Sequence, residues 1–97
     1  MLGSKSPRLS EDQAETIALQ ALSFLLADGK QISRFLALTG TSPQDLREAA
    51  STRGVQAATL EYFLSDEGLL LAFCQQAGLE PGVIAPAHFI LAGANEL

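Results

Sequence analysis

Apolar residues recur along the chain at helical rather than strand spacing. Ala14, Ile17, Ala18, Ala21, Leu22 and Leu25 follow the i, i+3, i+4, i+7 rhythm that gathers side chains on one face of an α-helix. Ser10 and Gln13 have the spacing of a capping box, and Glu11, Asp12 and Glu15 set carboxylates where they complement the positive end of the helix dipole. The pattern predicts a first helix over about 10–27. Nothing in the chain alternates apolar and polar for long, so no strand is expected.

The same punctuation continues to the end. Asp28 is placed to cap a second helix, with Ile32, Phe35 and Leu36 on its inner face, and Gly40 to stop it in the left-handed conformation that glycine adopts cheaply. Ser42, Pro43 and Asp45 restart the chain as cap, first helical residue and third-position acceptor. They predict a third helix over about 43–51 with Leu46 and Ala49 inward, stopped by Gly54. A fourth helix over about 55–65 is expected to offer Leu60, Phe63 and Leu64 to the core and Glu61 to solvent. Asp66 caps a fifth, "EGLLLAFCQQA", apolar almost all round in its first two turns, as a central or interface helix is. Gly78 ends it. Pro81 opens a short sixth with Val83 and Ile84 inward, and after Pro86 the segment "AHFILAGANEL" is expected to add a turn or two and fray.

An offset of 38 carries Leu22 onto Leu60, Asp28 onto Asp66, Phe35 onto Phe73, Gly40 onto Gly78 and Pro43 onto Pro81, with Phe24 falling on Tyr62 and Leu25 on Phe63. Each of these residues is a cap, a stop, a helix-opening proline or a core filler. The expectation is an all-α bundle of five to six helices built from two pseudo-repeated helix–helix–short-helix units, about 17–50 and 55–88. Units of that period bury their apolar faces only by stacking on each other. Caps and stops draw on few residue types, so two unrelated helical segments also align on them by chance.

With 97 residues, the chain is read as a flexible segment over 1–9 followed by one helical domain over 10–97, since a chain this short has one core. Hydrophobic residues make up 47 %, high for a domain whose surface-to-volume ratio is large, so apolar surface is expected to remain for a partner or a second copy. The net charge of −5 is unevenly spread. Residues 1–53 hold every Lys and Arg and balance them with acids; residues 54–97 hold Glu61, Asp66, Glu67, Glu80 and Glu96 and no Lys or Arg. That half should be repelled by nucleic acid and by anionic lipid. The start of the chain lacks the apolar run of a secretory signal, and no stretch has the roughly 20 apolar residues of a membrane span, so a cytoplasmic location is expected.

Chemistry-bearing residues are few. Cys74 stands alone, which excludes an internal disulfide and a Cys-rich metal site and fits a reducing compartment. Its apolar helix supplies no cation to lower its pKa, so it is read as a core residue rather than a nucleophile. His88, the only histidine, has no neighbouring ligands for a metal. Glu61, Asp66 and Glu67 cluster at a helix start, where the dipole accounts for them. There is no phosphate loop, dinucleotide fingerprint or nucleophile elbow. No catalytic residue, cofactor, metal or small-molecule substrate is therefore expected. Gly40, Ser42 and Leu46 have the spacing of a helix-turn-helix, but "SPQDLREAASTR" balances Arg47 and Arg53 with Asp45 and Glu48.

The combined pattern "RFLALTG…P.DLR" and "FL.DE.LLLAF…GL.P" resembles a family of small alphaproteobacterial helical proteins known only as a domain of unknown function. The resemblance implies a bacterial cytosolic, all-helical protein and carries over no functional residue. The expected function is a protein-interaction module or small homo-oligomer, with a helix-turn-helix DNA-binding regulator as the alternative. The expected contact surface is Leu69 and Leu71 on the fifth helix, or Phe89, Ile90 and Leu91 near the C-terminus.

Overall fold

Why these residues fold as they do is clearest at the caps. In the computed structural model, which describes residues 9–93, Ser10 Oγ accepts the Gln13 N–H at 3.0 Å while the Gln13 side chain accepts the Ser10 N–H at 2.8 Å, closing the box that opens α1 (Glu11–Leu26). Asp28 accepts from Lys30 and Gln31 at the head of α2 (Gly29–Thr39), and Ser42 from Asp45 at the head of α3 (Pro43–Ala49). Thr52 has two tasks: its hydroxyl donates to the Ala49 carbonyl at 2.7 Å, closing α3, and accepts the Val55 N–H at 3.3 Å, opening α4 (Arg53–Leu64). Asp66 accepts from Leu69 and opens α5 (Glu67–Ala77), and Pro81–Val83 forms a 3-10 turn that leads into α6 (Ile84–Ala92). Among the described residues the architecture is all-α with six α-helices and no strand, and no helix is long and apolar enough to cross a membrane. The expected flexible segment over 1–9 lies outside the described residues except for Leu9, as do residues 94–97.

The core follows from the stripes. All six predicted inward residues of α1 are buried, joined by Phe35, Leu46, Leu60, Phe63, Leu70, Phe73, Cys74, Ile84, Ala87 and Leu91. The most extensive packing in the molecule is that of α6 against α4 and α1. The alanines on the inner face of α1 leave room for close helix approach there. Aromatic rings join the halves: Phe35 meets Tyr62 edge-on with centroids 5.4 Å apart, and Phe73 meets Phe24 at 5.6 Å and Phe63 at 5.1 Å. Tyr62 adds a polar tie, its hydroxyl donating to Gln31 Oε1 at 2.8 Å.

The 38-residue offset carries the bounds of α2 onto those of α5 and brings Gly40 and Gly78 to matching left-handed caps with φ of 69° and 72°. Beyond those glycines the correspondence stops. α3 is a single capped α-helix, whereas its counterpart is a 3-10 turn with no side-chain cap followed by a longer helix seated on α1 and α4.

Two expectations are corrected. Gly54 does not stop α3; it is the second residue of α4, because Thr52 supplies the cap two residues earlier. Leu64 is exposed, since the inward stripe of α4 runs Gln56, Thr59, Leu60 and Phe63. After Pro86 the chain adds the expected turn or two: α6 runs on to Ala92, and Pro86 falls in its first turn, where a missing N–H leaves no intrahelical bond unmade.

Two glycine substitutions should therefore have opposite signs. A Cβ at Gly54 or Gly78 meets nothing within 4 Å, so only the backbone decides. Gly54→Ala should stabilise by about 0.5–1 kcal/mol through helix propensity and a less free unfolded chain. Gly78→Ala, forced to a φ of 72°, should cost about 1–2 kcal/mol. Urea unfolding midpoints check both.

Candidate functional site

The sequence nominated five apolar residues as a contact surface, and the fold separates them. Leu91 is only 3 % exposed and points with Ile84 and Ala87 into the core, so it is not available to a partner. Its helix is apolar all round, and which face turns inward is set by the seat on α1 and α4 rather than by any stripe in the sequence. Leu69 is half-buried against the core, while Leu71 on the same helix is 45 % exposed. Phe89 is 65 % exposed and Ile90 is half-buried beside it. Phe89 and Ile90 share a groove to which neither Leu69 nor Leu71 contributes.

That groove is built by the outer side of α6 and the turn before it. Gly82 and Val83 form one end, Ala85, Pro86, His88, Phe89 and Ala92 supply the helix side, and Leu9 and Gly93 close it. Ala85, Phe89 and Ala92 fall at i, i+4 and i+7, one exposed stripe of small, large and small side chains opposite the buried Ile84, Ala87 and Leu91. No Asp, Glu, Lys or Arg lies between Glu80 and Glu96, so the outer face of α6 holds no acidic, Lys or Arg side chain. Leu9 and Val83 also line a second groove running along α1 past Asp12, Gln13, Thr16 and Gln20. Other large apolar side chains at the surface, which the sequence did not single out, include Leu26 and Leu38, and neither lines a groove of this kind.

The polar residues near the groove hold helices together. Arg53 on α4 pairs with Glu11 on α1 at 3.0 Å and donates through Nη1 to the Ile90 carbonyl in the last turn of α6, where a cation meets the negative end of the helix. Below it Gln56, 2 % exposed, donates through Nε2 to Glu15 Oε2 and to the Ala50 carbonyl, both at 3.4 Å. Among the described residues no three His, Cys, Asp or Glu side chains are grouped as metal ligands would be. Cys74 is buried, and that burial pushes its thiol above the ordinary range, away from thiolate. On α3 the exposed side chains include Asp45 and Glu48 beside Arg47, so the second helix of the helix-turn-helix spacing shows no excess of positive charge.

The chain belongs to the family described as "Protein of unknown function (DUF3572)", whose model matches residues 11–94. No curated protein and no solved structure matches it.

The raised pKa and the burial of Cys74 act in the same direction on reactivity. At pH 8 a disulfide reagent should modify Cys74 at least about a hundredfold more slowly in the native protein than in denaturant, since attack needs both a thiolate and an opening of α5. Equal rates would show that the thiol is accessible.

Proposed function

We propose that this member of the DUF3572 family is a non-catalytic interaction module that docks a protein partner on the outer face of α6. The observation that carries this reading is Phe89: a phenylalanine 65 % exposed, on an uncharged helix face, beside a groove of small apolar residues. A lone exposed leucine such as Leu38 needs no explanation, but an aromatic standing next to a groove has the form of an interface anchor. Covering the ring would yield about 1.5–3 kcal/mol, and the alanines and glycine around it give a partner helix close approach. The half of the chain that holds α6 carries only acids, which favours protein over nucleic acid as the partner and also speaks against the helix-turn-helix alternative. A cytoplasmic setting suits a chain whose one cysteine is buried as a free thiol.

Photocrosslinking tests the reading. A benzophenone amino acid placed at Phe89 should give a discrete protein adduct in the cells that make this chain, and the same group at exposed Gln44 on α3 should give none. No discrete adduct from position 89, or the same adduct from both positions, would overturn it.

A further inference from the structure

We infer that the partner on this face is a second copy of the chain, the two α6 helices packing antiparallel about a two-fold axis near His88 and Phe89. The inference rests on the docking reading above and adds the identity of the occupant.

Charge selects the face first. Each copy carries −5, and the acids of residues 54–97 would bring like charges together if two copies met through surfaces holding Glu61, Asp66, Glu67 or Glu80. The outer stripe of α6 lies in the longest uncharged stretch of that half, residues 81–95, so two copies can bring these stripes together with no formal charge on either.

Shape selects the occupant. A two-fold interface uses one patch twice, so the patch must contain both the projection and the space that receives it. The α6 face does. Phe89 projects near the middle of a helix that spans Ile84–Ala92, with Ala85 and Ala92 flanking it on the same stripe. Antiparallel pairing about a point between His88 and Phe89 sets Ala85 against the partner's Ala92, and Ala92 against the partner's Ala85. The two phenylalanine rings then lie side by side between four alanines, in reach of the offset stacking that aromatic pairs prefer. A charged or bulky residue at position 85 or 92 would block this approach, and neither is present. Antiparallel packing also sets opposite helix dipoles alongside, which parallel packing does not. A stable interface uses about 800 Å² on each partner, more than nine residues of helix supply, so the dimer should dissociate on dilution.

Sedimentation equilibrium of the purified full-length chain, from micromolar to near-millimolar concentration, should show a reversible monomer–dimer equilibrium. Phe89→Asp should weaken it at least about 30-fold, as loss of a central aromatic anchor does, with helicity unchanged by circular dichroism. Should that variant lose helicity, Phe89→Ser serves in its place. Mixed in equal amounts and oxidised, Ala85→Cys and Ala92→Cys chains should form the crossed disulfide well beyond the roughly twofold excess over each self-paired one that random pairing gives, both sites being exposed and Cys74 buried. A strictly monomeric wild-type chain, or a crossed disulfide no more abundant than random pairing gives, would overturn the second-copy arrangement. If the wild type is monomeric while the crosslinker at Phe89 captures a different protein, the docking reading stands and this inference fails; if neither association is seen, both fail.

Discussion

Ile84, Ala87 and Leu91 hold α6 in a seat formed by α1 and α4, and the rest of the molecule is arranged around that contact. The helix has no side-chain cap, no acid in its first turn and a proline near its start, so its local chemistry does little to fix where it begins. Nine residues form a helix too short to persist alone in water, and burial of one face must supply the difference. Small residues make the seat. Ala14, Ala18 and Ala21 on α1 let helices approach closely, and Ala87 on α6 is itself fully buried. Removing α6 would strip cover from both helices that carry the core, which is why its inner and outer faces have such different meanings.

Legibility in the sequence followed the strength of local signals. The stripe of α1 was readable to the last residue because it is amphipathic and headed by a capping box, and Asp28, Gly40, Ser42, Asp66 and Gly78 each have the cap or stop geometry their side chains imply. Thr52 was missed because Gly54 looked like a stop, and only the fold shows the threonine serving α3 and α4 at once. Leu64 was assigned inward on hydrophobicity alone, whereas helical geometry turns Gln56 inward instead and Glu15 and the Ala50 carbonyl satisfy its amide donors. The site was half legible. An apolar surplus near the C-terminus can be counted in the sequence, but a helix apolar on every side gives no hint that Phe89 faces out and Leu91 faces in.

Charge and hydrophobicity are divided along the chain in a way that matters only once it folds. The balanced half supplies Arg53 and Glu11, which join α4 to α1 and, through the Ile90 carbonyl, to α6. Both side chains are well exposed, so the pair adds little stability in itself and acts as an alignment between three helices. The acidic half keeps its carboxylates off the outer stripe of α6. The outer stripe of α6 is then an apolar face without formal charge, set within a half of the chain whose net charge is negative.

Leu9 and Gly93, at opposite ends of the described chain, both line the groove beside Phe89. The chain enters and leaves the described fold at the lip of that groove. A reporter group meant to watch this face is better attached at the exposed Gln44 on α3, which lines none of these grooves and caps neither helix.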